Sequence, residues 1–215
     1  MKQVQDHYFH QAKKAGYPAR SVYKLVEAQQ KFGLLRPGNR VLDLGCQPGS
    51  WSMYAAEQVG ARGLVVGVDL NPGPIRPRKG APFHFILGDI TKEAVLARVK
   101  AISPTFTVLL SDMAPRTTGN RWTDQQQSLN LARGVLRLAG ELLEPGGRWY
   151  CKVFEGEDFK ELVDSLRPHF ARVKIFKPKS SRSESREVFV LGLDFRPAAA
   201  GANSSITTRE EEEEQ

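Results

Sequence analysis

Short apolar runs alternate along this chain with longer stretches whose apolar residues recur every three or four positions. The runs at 41–44, 64–69, 83–87, 106–111 and 148–154 predict buried strands, because few of their positions are polar. Stretches 19–32, 51–59, 92–101, 125–143 and 158–166 predict helices. In the first of these, Val22, Leu25, Val26 and Phe32 make an apolar stripe that leaves Arg20, Lys24 and Lys31 outside it. Thr91 is placed to cap the third helix, and Thr123 or Asp124 the fourth. Pro145, Gly146 and Gly147 stop the fourth. Two more strands, 170–176 and 187–193, are joined by the Ser/Arg/Lys-rich residues 177–186. That connection is too short for a crossover, so the pair is antiparallel. The pattern predicts an α/β, Rossmann-like fold: a mostly parallel seven-stranded sheet with one antiparallel strand and helices on both faces.

The ends differ from the middle. Residues 1–15 are polar and basic with a thin apolar face, and read as a mobile arm. Residues 16–196 read as one domain, as the length of 215 residues leads one to expect. Residues 197–215 lack apolar bulk, finish in Glu210–Glu214 and read as a disordered acidic tail. No apolar run approaches the ~20 residues of a membrane span, and the first residues hold no signal-peptide core, so a cytoplasmic protein is expected. Cys46 and Cys151 form no C-x-x-C pair or Cys/His cluster, which predicts reduced thiols and no metal site. The formal charge is +7; Arg209 and the five glutamates after it carry a net −4, leaving +11 on residues 1–208. A body that basic points to a polyanionic partner, nucleic acid above all.

The stretch VLDLGCQPGSW at 41–51 reads as strand, glycine turn and helix. That is the opening unit of a nucleotide-binding α/β fold, whose ligands lie beyond the carboxyl ends of the strands. Gly45 lets the backbone bend and Gly49 lets a ligand approach, since neither carries a Cβ. The spacing D-x-G-x-x-x-G is neither a dinucleotide fingerprint nor a P-loop. Asp69 closes the second strand where it suits ribose hydroxyls and repels a ribose phosphate. The combination favours S-adenosylmethionine. Asp43, Asp69, Asp89 and Asp112 each stand at or near the end of a successive strand, and four in series read as one ligand site. Lys152 interrupts an apolar strand. A lysine there is costly to bury unpaired, and Asp112 and Glu187 are its candidate partners.

Five stretches, SVYKL (21–25), DLGCQPGSW (43–51), SDMAP (111–115), KVFEGE (152–157) and KPKSSRSESREVFV (177–190), resemble the motifs of FtsJ-type ribose 2′-O-methyltransferases. The likeness runs from about residue 6 to 195 and is nearest to the bacterial branch that methylates a uridine of 23S ribosomal RNA. Related branches act on tRNA, on other rRNA sites and on mRNA caps. The resemblance implies a catalytic tetrad of Lys24, Asp112, Lys152 and Glu187, and cofactor contacts at Gly49, Trp51, Asp69, Asp89 and Asp112. Two departures stand out. Cys46 and Gln47 replace a usually small pair, and Ser50 stands where a second glycine is common; outward-facing side chains are expected to make both tolerable.

The chemistry suits these residue types. The sulfonium of S-adenosylmethionine is already electrophilic, so the work left is to align a ribose 2′-hydroxyl and remove its proton. Lys152 is expected to take that proton or steady the developing alkoxide. As a base it must be neutral, a state that burial and the Lys24 cation favour. Asp112 would orient its amine, and Glu187 would position Lys24 or the ribose. Lys13 and Lys14 in the arm, with Arg20, Arg116, Arg121, Lys177, Lys179 and Arg182, are expected to meet RNA phosphates, the arm ordering as it binds. Trp122 would stack on an unpaired base or fold back on apolar surface. The expected partner is large-subunit rRNA or the 50S subunit, and the enzyme a monomer. Two other classes compete. One is an enzyme methylating a base or small molecule, which DMAP disfavours because amino-methylating sites carry Asn/Asp-Pro-Pro-aromatic there. The other is an RNA-binding module without catalysis, which the intact tetrad disfavours.

Overall fold

The computed structural model describes residues 2–77, 79–182 and 184–197, with side chains from residue 7 onward. Its elements are α1 (Lys2–Ala15), α2 (Val22–Phe32), β1 (Arg40–Leu44), α3 (Ser50–Val59), β2 (Leu64–Asp69), β3 (Phe83–Leu87), α4 (Glu93–Ile102), β4 (Phe106–Ser111), α5 (Arg121–Leu142), β5 (Leu143–Phe154), α6 (Phe159–Leu166), β6 (Phe170–Phe176) and β7 (Glu187–Phe195). The strands form one sheet in the order β3-β2-β1-β4-β5-β7-β6. β7 runs antiparallel to both neighbours, and the remaining pairs are parallel.

The alternation of side chains along each strand builds two cores. Leu42 and Leu44 of β1 join the cluster under α4, α5 and α6, while Val41 joins the one under α2 and α3. Asp43 takes the side of Val41. From β1 the chain winds outward through β2 to β3, then returns to lay β4 on the other flank of β1. The gap between the ends of β1 and β4 is therefore the switch point where this architecture places its ligands.

Several boundaries differ from the sequence expectation for local reasons. The supposed mobile arm is helix α1: Tyr8 and Ala12, one turn apart, give it a face that docks on α2, with Ala12 buried and the Tyr8 and Tyr23 rings 5.3 Å apart. α5 begins at Arg121, because Asn120 caps it by accepting from the N–H groups of Trp122 and Thr123. Asp124, an expected cap, instead accepts from the N–H and hydroxyl of Thr118. Thr91 does not cap α4, its N–H and hydroxyl being spent on Asp89. β5 starts at Leu143, since Leu143 pairs with Phe106 before a register shift carries the chain through Pro145, Gly146 and Gly147. No helix among the described residues is long and apolar enough to cross a membrane. The expected acidic tail falls, from residue 198 on, outside the described residues.

Candidate active site

A cleft of about 480 Å³ opens at the switch point, beyond the carboxyl ends of β1 to β4. Asp69, Asp89 and Asp112 line it, with Leu44, Val68, Ile90 and Met113 as apolar wall. Asp69 accepts from the N–H of Gln47 on one oxygen and from the N–H and side-chain amide of Asn71 on the other. The Thr91 N–H and hydroxyl hold the Asp89 carboxyl below the usual carboxylate range. Gly45 has φ 73°, and a Cβ there would stand 2.7 Å from Met113 Cγ, so its bareness lets the two loops close on each other.

Three expected cofactor residues fall elsewhere. Asp43 is fully buried on the α3 side of the sheet, accepting from the Ser52 hydroxyl at 2.6 Å. Burial raises its pKa to about 7, helped by the charges of Asp112 and Asp69 and opposed by the Ser52 bond. Gly49 does stand at φ 105°, but Ile75 lies against its bare face. Trp51 points into the core, stacked on Tyr150 with ring centroids 5.4 Å apart. Asp43 misses the cleft because it sits level with Gly67 and Leu110, two residues short of Asp69 and Asp112, and Trp51 misses it because its place on α3 turns the ring toward α2. Two of the departures in the turn face inward: Cys46 is buried against Gly67, and the buried Ser50 hydroxyl accepts from the Ala19 N–H and donates to the Ala19 carbonyl, whereas Gln47 is half-buried, lines the cleft and donates from Nε2 to the Gly73 carbonyl at 3.0 Å.

The four tetrad residues come together at the edge of this cleft. Asp112 follows β4, Lys152 rises from β5, Glu187 opens β7 and Lys24 comes from α2. Lys152 Nζ donates to the Asp112 carboxylate at 2.9 Å and to its backbone carbonyl at 2.5 Å, and is almost wholly buried. Lys24 Nζ lies 2.6 Å and 2.7 Å from the two oxygens of Glu187. Burial pushes the Glu187 carboxyl up, but the Lys24 charge and bond, with Lys152 and Ser181, outweigh it and leave the carboxyl below its ordinary value. Lys24 is thus paired with Glu187, not set as a bare cation against Lys152. In the β5–β7 register Lys152 opposes Phe189 and Phe154 opposes Glu187, which puts both ionisable groups on the α2 face.

What places Lys24 is an aromatic platform that the motif reading missed. Trp51, Tyr150 and Phe189 stack beneath α2. Trp51 Nε1 donates to the Ser21 carbonyl at 2.8 Å, and the Tyr150 hydroxyl to the Lys24 carbonyl at 3.0 Å. Period-two alternation from Lys152 back to Tyr150 is the sequence signal that could have found it.

The basic residues divide into groups. Lys177, Lys179 and Arg182 are exposed on the loop before β7, next to Glu187. Arg186 ties that loop to α5 by donating to the Arg121 carbonyl, bringing Arg121 and Trp122 alongside. Trp122 is 62% exposed, which settles its orientation against the folded-back alternative. Lys13 lines a separate hollow with Tyr17, Pro48 and Arg76, the last a cation that the sequence reading passed over. Lys14 is exposed on the last turn of α1, Arg116 is exposed in the loop after β4, and Arg20 is half-buried just before α2.

Residues 17–195 match the FtsJ-like methyltransferase family. A protein of Desulfotalea psychrophila named ribosomal RNA large subunit methyltransferase E is 53% identical over 91% of this chain and 98% of its own length. A namesake from Nitratidesulfovibrio vulgaris (strain Miyazaki F) is 48% identical over 91% and 97%. Among solved structures, a ribosomal RNA methyltransferase of Plasmodium falciparum superposes with TM-score 0.73 at 28% identity, covering 83% of this chain and 98% of that one. Fibrillarin of Aeropyrum pernix, solved with natively bound S-adenosyl-L-methionine, shares the fold at TM-score 0.54 and 18% identity, over 80% of this chain and 76% of that one.

Proposed function

This chain belongs to the FtsJ-like methyltransferase family, and from that premise we propose that it uses S-adenosylmethionine to methylate the 2′-oxygen of a uridine ribose in 23S ribosomal RNA. The names of its curated relatives support the large-subunit substrate. The observation that carries the chemistry is the pair of bonds from Lys152 Nζ to Asp112 at the edge of the cleft.

The cleft residues fit the cofactor. Asp69 and Asp89 present carboxylate oxygens that no lysine or arginine ion-pairs among the described residues, which suits a ligand bearing both cationic groups and hydroxyls. Asp69 has acceptor capacity left for ribose hydroxyls. Gly45, Asp112 and Met113 would close around the rest. When bound, S-adenosylmethionine supplies a methyl group on a positively charged sulfur.

The protein's own contribution is to prepare the hydroxyl. In its amine form Lys152 has two N–H bonds, and Asp112 can take both, which leaves the lone pair as the remaining tetrahedral position. That lone pair accepts the 2′-hydroxyl proton as the oxygen attacks, and Asp112 holds the ammonium so formed. Lys24 and Glu187 hold one another beside it and offer a donor and an acceptor to the ribose. Lys179, Arg182, Arg121 and Trp122 ring this point and would hold the strand on either side. All four tetrad residues come from one chain, which supports a monomer as the working unit, and the bacterial relatives named for an rRNA substrate support work in the cytoplasm. Lys152→Ala should lower kcat about 10²–10⁴-fold while leaving the Kd for rRNA within twofold. Labelled methyl transfer followed by nuclease digestion locates the product. Label on a base, or unaltered turnover in Lys152→Ala, would overturn the proposal.

A further inference from the structure

Helix α2 faces the basic loop as well as the tetrad. Glu27 lies three residues beyond Lys24, on the same side of the helix. Its carboxylate oxygens accept from the backbone N–H groups of Lys179 at 2.6 Å and Ser180 at 2.9 Å. The Ser181 N–H closes a turn onto the Pro178 carbonyl at 3.1 Å. The Ser181 hydroxyl then donates to Glu187 Oε1 at 3.0 Å. Residues 178–181 are therefore gripped from one side by Glu27 and from the other by Glu187. Within the grip, Pro178 and Ser180 are buried, while Lys179 and, just beyond it, Arg182 are exposed.

We propose that Glu27 is a positioning residue for RNA: by accepting two adjacent backbone N–H groups it fixes the loop so that Lys179 and Arg182 reach the nucleic acid together. The physical ground is the acceptor count. A carboxylate satisfies two neighbouring N–H groups with charge-assisted bonds, whereas a side-chain amide of the same shape must turn its NH₂ toward one of them. The inference rests on the reading that this loop meets RNA, and not on methyl transfer.

The test uses the full chain. In Glu27→Gln, amide hydrogen exchange at Lys179 and Ser180 should quicken at least about tenfold, and Kd for an in vitro transcript of 23S rRNA should rise about tenfold. The slope of log K against log salt should become shallower by about one to two, as one or two phosphate contacts are lost. A Lys179→Ala/Arg182→Ala background supplies the coupling: with those cations gone, Glu27→Gln should no longer change Kd. Should Glu27→Gln fail to fold, Glu27→Asp makes the same comparison by withdrawing the charge from the amides by one methylene. Amides that stay protected, an unchanged Kd, or an equal loss in the doubly substituted background would each overturn the proposal. A wild-type protein that binds no rRNA overturns it too. One that binds rRNA without methylating it sinks the catalytic reading alone.

Discussion

Asp43→Asn probes a carboxyl group that its place within the covered strand β1 has put in the wrong solvent. Asp43 is fully buried, Oδ1 has no hydrogen-bond partner among the described residues, and Ser52 donates to Oδ2. Burial, with the Asp112 and Asp69 charges, lifts its pKa from 3.8 to about 7. The folded protein therefore keeps a proton that the unfolded chain has lost between about pH 4 and 7. Stability from this group is complete below pH 4 and drains away as pH rises through 7. At ~1.4 kcal/mol per pKa unit, the integrated loss is about 4 kcal/mol, with a slope approaching 1.4 kcal/mol per pH unit around pH 5–6. Asparagine is nearly isosteric and does not titrate. Urea unfolding followed by circular dichroism at pH 5, 6, 7 and 8 should show the wild type losing stability relative to Asp43→Asn from pH 5 to about 7 and levelling off toward pH 8. A constant offset, whatever its sign, reflects the new amide's packing. Parallel profiles from pH 5 to 8 would refute the reasoning, because they would mean that Asp43 is ionised throughout.

Two further outcomes are expected. Lys24→Met removes one partner of a mostly buried pair and should cost about 3 kcal/mol of stability in urea unfolding. Because Lys24 holds the Glu187 carboxyl below 4.5, the pair's contribution is present above that pH and lost as pH falls through the folded value. The variant should lose that acid limb, and an unchanged profile would dissociate the pair from stability. Trp122→Ala should weaken rRNA binding by about 1–3 kcal/mol through lost stacking. Its Tm should not move, given the exposed ring; a lower Tm with intact binding would make Trp122 structural.

The sequence by itself determined the elements and the chemical types. Apolar runs and helical stripes are local patterns, so β2, β3, β4 and β6 could be read to the residue, and the short 177–186 connection was enough to reverse β7. Likewise, a lysine amid the apolar residues of β5 and an acid at the end of β4 announced a polar site wherever they met. Only the tertiary structure decided which side chains face the same space. Asp43 and Asp69 look alike at their strand ends and share a face of the sheet, yet the register sets Asp43 level with Gly67, two residues short of Asp69, which leaves Asp43 in the core and lets Asp69 reach the cleft. Trp51 looked like a ligand contact and is the floor under α2. Glu27 and Ser181 lie 154 positions apart with no shared motif, and the fold sets the helix that carries Glu27 against the loop that carries Ser181. Periodicity is set by neighbours in the chain, whereas a contact between distant side chains exists only after the sheet has fixed its order and register.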